Sequence, residues 1–153
     1  VYVLLNGIKH WRQRREGDCL VACCKQVLAY LGIEKDEGWL WQRLRATGVT
    51  PFSNVEKLAS TVGVVVEIYR GGTPDAFAPY LESGLPVLVA VDADDVQFWP
   101  YTHHHAVVVV GFDEQQVFVH DPMQVEAPLA VDLDSFLLAW SRRDEQYAVI
   151  RLA

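Results

Sequence analysis

The hydrophobic period of the chain changes once, and that change limits its architecture more than any other feature. Between residues 18 and 31 apolar side chains recur at helical spacing. Leu20, Cys24, Val27 and Leu31 form a stripe, Val21 and Leu28 widen it, and Gly32 ends it. From residue 64 onward the apolar segments are short, β-branched and of strand length: 64–69, 86–92, 104–112, 117–121 and 147–152. The connection 113–116 is short enough to make 104–112 and 117–121 an antiparallel hairpin. Further helices are expected at 36–46, at 53–61 with Ser53 as cap, at 74–82 and at 132–140, with a short strand at 1–5. A helical first half and a sheet-rich second half describe an α+β chain. With 153 residues and no repeat, low-complexity tract or linker, residues 1–153 read as a single domain.

Bulk chemistry removes several classes of function. A net charge of −7 argues against a nucleic-acid partner, because phosphate binding needs an excess of Lys and Arg on some face. The basic residues Arg12, Arg14 and Arg15 lie far in sequence from Arg142 and Arg143. No apolar run reaches the ~20 residues of a membrane helix, and no secretory signal pattern opens the chain. Three cysteines crowd one helix at positions 19, 23 and 24, which suits free thiols in a reducing, cytoplasmic compartment better than a disulfide scaffold.

Four residues carry the candidate chemistry. Cys19 falls at the start of the first helix, where unpaired N–H groups and the positive end of the dipole favour a thiolate. Asp18 can cap that helix, although its charge alone disfavours the anion. Cys23 and Cys24 lie deeper and read as small core residues. His105 opens a valine run and shares a face with Val107 and Val109. Across the hairpin Asp121 shares its face with Val117 and Val119, so a twist or bulge brings imidazole and carboxylate within reach. A base held by a carboxylate on the next strand is what a thiol nucleophile requires. His103 has the same facing as His105 and is the other candidate base, whereas His104 and His120 are expected to point away. Gln13, six residues before Cys19, can supply a side-chain amide to an oxyanion.

The residues Gln13, Gly17-Asp18-Cys19-Leu20-Val21-Ala22-Cys23 and Leu28-Ala29-Tyr30-Leu31-Gly32 resemble the N-terminal block of the C39-like branch of papain-fold peptidases. The stretch from His105 to Phe112, closing at His120-Asp121-Pro122, resembles that family's second block. The resemblance implies a papain-like fold, with a cysteine-led helix packed on a C-terminal antiparallel sheet. It implies a stand-alone cysteine peptidase acting on peptide or protein, with Gln13 as oxyanion donor, Cys19 as nucleophile, His105 as base and acid, and Asp121 as orienter. No cofactor is implied.

The family often carries Gly directly after the nucleophile, and here the residue is Leu20, which bears on the substrate. Leu20 is expected to bind substrate together with Phe98, Trp99 and Tyr101 of the segment 92–102, whose acidic residues favour a basic or amine-bearing ligand. Two other outcomes use the same groups: an amidase or acyltransferase on a non-protein substrate, and a catalytically idle peptide-binding module. A zinc site built from the three thiols and His103, His104 and His105 is not expected. Zinc ligands favour C-x-x-C loop spacing, whereas these thiols point in different directions around a helix.

Overall fold

The structure, a computed structural model, describes residues 3–15, 17–59, 61–94 and 104–153. In chain order it contains β1 (Val3–Leu4), α1 (Cys19–Tyr30), α2 (Glu37–Arg43) and a 3-10 helix, Phe52–Leu58. Next come β2 (Val64–Tyr69), a 3-10 turn (Pro74–Ala76) running into α3 (Phe77–Glu82), β3 (Val87–Asp92) and β4 (His104–Phe112). The chain closes with β5 (Gln116–His120), β6 (Leu129–Asp132), α4 (Leu133–Ser141) and β7 (Tyr147–Leu152).

All seven strands join one antiparallel sheet in the order β2-β7-β3-β4-β5-β6, with β1 beside β4. The valines at 107–110 explain why β4 is central: a run that is β-branched and apolar on both sides can be satisfied only between two layers. Ala106, Val108 and Val110 face α1, α2 and the 3-10 helix; Val107 and Val109 face α3 and α4. Leu20, Val27 and Leu28 of α1 are buried against the first face, and burial of each contributes about 1.5–3 kcal/mol. The α+β expectation therefore holds, with helices on both faces of the sheet rather than one. Among the described residues no helix is long and apolar enough to cross a membrane.

Strands 64–69, 104–112 and 147–152 fall as read from the sequence, β3 starts at residue 87, and β5 spans 116–120 rather than 117–121. The segment expected as a helix from 53 is a 3-10 helix that starts at Phe52, with Pro51 in the capping position and no side-chain cap from Ser53. Asp36 and Asp132 do cap α2 and α4, accepting from Trp39 N and Ser135 N at 2.7 and 3.2 Å. Strand β6 leaves no mark in the sequence pattern, being four residues long, only one of them buried, and abutting a helix cap.

A bulge in β4 decides which way its first residues face. β4 and β5 pair Phe112 with Val117 and Gly111 with Phe118; the register then shifts to Val109 with Val119 and Val108 with His120. Val110 is the extra residue. Side chains alternate with a period of two, so a one-residue offset reverses every facing beyond it. Without the bulge Asp121 would continue opposite Val108. With it Asp121 continues opposite Val107, on the side of His105 and diagonal to it, within reach of a ring.

Candidate active site

Cys19 is the first residue of α1 and Gly17 leads into it with φ +87. A Cβ on Gly17 would stand 2.2 Å from the carbonyl oxygen of Gly48, so only glycine lets the loop at 48–50 close against the helix start. Asp18 occupies the capping position, yet its side chain makes no cap bond. Its Oδ2 accepts from Arg15 Nε at 3.0 Å and its Oδ1 from Trp41 Nε1 at 3.3 Å, while the Arg15 guanidinium lies over the Trp41 ring. This corrects the expected cap. The carboxylate beside the thiol is paired with a cation instead, which weakens its repulsion of a thiolate at residue 19.

His105 Nε2 donates to Asp121 Oδ1 at 2.6 Å, and both side chains are fully buried. Met123 N donates to the same carboxylate oxygen at 2.9 Å and fixes its direction. Burial alone would lower the imidazole pKa. The hydrogen bond to Asp121, followed by that to Cys19, outweighs burial and lifts His105 to about 9. With Nε2 committed to the carboxylate, Nδ1 is the ring nitrogen that remains for the thiol.

The other two thiols differ in kind. Cys23 donates to Ala106 O at 3.3 Å, and burial pushes Cys23 and Cys24 well up, so both stay protonated. A separate buried pair lies nearby: His120 Nδ1 donates to Gln26 Oε1 at 3.0 Å, and Gln26 Nε2 donates to Trp11 O. Burial, then the edge-on ring of His10, holds His120 down at about 4.

Gln13 lies on a loop tied to the far side of Asp121, its backbone N–H donating to Pro122 O at 2.9 Å. Its side-chain Nε2 donates to Arg15 O, which uses one of two amide hydrogens, and Gln13 is not among the residues lining the cavity at Cys19.

That cavity, of about 320 Å³, opens at the end of the sheet where β3 finishes and β4 begins, and both layers line it. Cys19, Leu20, Phe52 and the loop at 48–50 come from the α1 side; His104, His105 and Ala106 come from β4, and Arg143 from the turn after α4. Leu20 lies where expected. Phe98, Trp99, Tyr101 and His103 lie outside the described residues. His104, expected to point away, is exposed and lines the cavity. Neither Asp92 nor Asp94 lines it; Arg142 Nη1 donates to both of their main-chain oxygens, and the charged group on the wall is the cation Arg143. Arg143, Phe52 and residues 48–50 had no local signature, since only tertiary packing carries them to Cys19. Among the described residues no group of three or more His, Cys, Asp or Glu could hold a metal ion.

The sequence profile of the Peptidase_C39 like family matches residues 5–148. No curated protein matches the chain. Among solved structures, a C39-like peptidase from Bacillus anthracis has a TM-score of 0.81 at 17% identity, over 100% of this chain and 98% of that one. The peptidase domain of Streptococcus ComA, a bifunctional ABC transporter of a quorum-sensing pathway, gives 0.71 at 18%, over 96% and 98%. A double-glycine-motif protease from an AMS/PCAT transporter, solved with a leader peptide, gives 0.71 at 16%, over 100% and 99%. At these identities the likeness establishes the fold.

Proposed function

The chain belongs to the Peptidase_C39 like family, and from that premise we propose that it is a cysteine peptidase with Cys19 as nucleophile. Cys19, as thiolate, attacks the carbonyl carbon of a peptide bond. The oxyanion is held by the backbone N–H of Cys19 and the remaining amide hydrogen of Gln13. His105, protonated at neutral pH with its pKa near 9, gives its proton to the departing amine. The thioester that remains is hydrolysed when His105 takes a proton from the attacking water and keeps it while Cys19 leaves as thiolate, which restores the starting pair. Asp121 orients the ring and stabilises the imidazolium.

The observation that carries this reading is the buried 2.6 Å bond between His105 and Asp121, with the same imidazole lining the cavity that Cys19 lines. A carboxylate, an imidazole and a thiol in series at a cavity wall are what acyl transfer to sulfur needs. The leader peptide bound by the double-glycine-motif protease supports a peptide as the substrate class. The three unbridged thiols of α1 support a reducing, cytoplasmic setting.

Peptide mapping after a short iodoacetamide pulse, paired with a peptide-library digest, tests the assignment. Cys19 is expected to alkylate far faster than Cys23 or Cys24, and Cys19→Ala to cleave nothing the wild type cleaves. Cleavage that survives Cys19→Ala, or three thiols of equal reactivity, would sink it.

A further inference from the structure

We infer that Arg143 is a specificity residue of this site and receives a carboxylate of the substrate beside the cleaved bond. The inference rests on the peptidase reading and adds a substrate class to it.

Arg143 lines the same cavity as Cys19 and His105. It is presented by a built turn. Its N–H donates to Trp140 O at 3.0 Å, and its carbonyl accepts from Gln146 Nε2 at 2.9 Å. The next two residues, Asp144 and Glu145, hold φ of 59 and 45, a region that side chains other than glycine seldom occupy. Arg142 ties the turn to the end of β3 through the main chain of Asp92.

Among the described residues no carboxylate lies within ion-pair distance of the Arg143 guanidinium. The adjacent Asp144 is bonded to Arg70. Burial lowers the Arg143 pKa, while Asp92, then Cys19 and Asp144 oppose that change, and a guanidinium stays charged throughout. The cavity walls around it are otherwise largely apolar, with Leu20, Phe52 and Ala90 among them. A half-buried cation with no carboxylate in ion-pair contact among the described residues costs free energy that an anionic ligand offsets on binding. A carboxylate meets the guanidinium fork with two parallel hydrogen bonds. At about 320 Å³ the cavity is at the small end of ligand sites, so the group that reaches Arg143 belongs to residues next to the bond attacked by Cys19.

A carboxylate can come from an acidic side chain or from a peptide C-terminus, and two arms separate the sources. Amidated peptides carry Glu, Gln or Lys in turn at each position flanking a fixed centre; a second set of neutral peptides ends in a free acid or an amide. The readout is the ratio of kcat/KM for a carboxylate peptide to that for its neutral counterpart. About tenfold or more is expected in the wild type, at the strength of a charge-assisted hydrogen bond. In Arg143→Gln the ratio is expected near one, and Arg143→Lys recovers part of it. A wild-type ratio near one in both arms overturns the inference. So does an unchanged ratio in Arg143→Gln, or an absence of cleavage although Cys19 alkylates with iodoacetamide. Failure of Cys19 to alkylate is a different result, because it removes the peptidase reading itself.

Discussion

Two imidazoles lie in similar burial at the end of the β4–β5 hairpin, and they are held in opposite states. His105 is 2% exposed and His120 5%, and each hydrogen-bonds a buried side chain. His105 is raised to about 9 and His120 lowered to about 4. Desolvation pushes both down, so the partner decides the outcome. Asp121 brings a full negative charge to the first ring, whereas Gln26 offers the second only a dipole. Consecutive residues, His120 and Asp121, thus serve two separate networks, one poised to carry a proton and one locked neutral.

Replacing the carboxylate by an amide should turn the first pair into a copy of the second. In Asp121→Asn the imidazole keeps its burial and loses the strongest cause raising it, so its pKa should fall below 6.5. Turnover at pH 7 is expected to drop by about 10³–10⁴, as when a triad loses its orienting carboxylate. The alkaline limb of the wild-type kcat/KM profile should lie near pH 9, where His105 loses its proton, and should move to acid in the variant. Stability carries the same sign. A raised histidine stabilises the fold fully below its unfolded value of about 6.5, and that contribution fades as pH rises through about 9. Urea midpoints of the wild type should therefore fall between those limits and those of Asp121→Asn should not. An alkaline limb that stays put in the variant would remove Asp121 from the site.

How much of this contrast a reader of the sequence can recover depends on distance along the chain. Strand alternation and the short 113–116 connection bring His105 and Asp121 toward one another, and the helical stripe identifies the start of α1. The bulge at Val110 that gives both the same facing has no local mark, because any residue of a valine run can slip. The partner of Asp18 is hidden for a related reason: a cap is a local bond, and Trp41, 23 residues on, competes for the carboxylate only through the packing of α2. Arg143 is remoter still. In sequence it is half of an Arg-Arg pair, and only the return of β7 into the sheet beside β3 brings its turn to the cavity. Gln26 reads as one polar interruption of a helix, with nothing to say that a histidine 94 residues on would use it.

The reverse exchange sharpens the comparison at lower amplitude. Gln26→Glu gives His120 a carboxylate while leaving Asp121 and His105 untouched. His120 should then titrate above 6.5 instead of near 4, read from its imidazole carbon-bound protons by NMR. Wild-type stability should decline as pH falls from about 6.5 toward 4, because the unfolded chain takes up a proton that the folded ring refuses. That acid limb should disappear in the variant. Near pH 8 the exchange costs about 1–3 kcal/mol, since Trp11 O loses the amide donor of Gln26. A His120 that still titrates near 4 beside a carboxylate would mean that burial, and not the partner, separates the two rings.

The smallest effect distinguishes the two causes acting on His120 itself. Burial is the larger, and the charge of His10 is the second. Its ring meets His120 edge-on at 5.3 Å and its Nε2 bonds Gln124 O at 2.7 Å. His10→Phe keeps a ring in that place and removes the charge, so His120 should rise by less than about one unit, worth no more than about 1.4 kcal/mol. Loss of the bond to Gln124 should cost a further 0.5–1.5 kcal/mol, roughly, at any pH. A rise of two units or more would make the neutrality of His120 a matter of charge rather than solvent. Both imidazoles would then obey one rule, His105 set by an anion and His120 by a cation, with desolvation reduced to a background that both share.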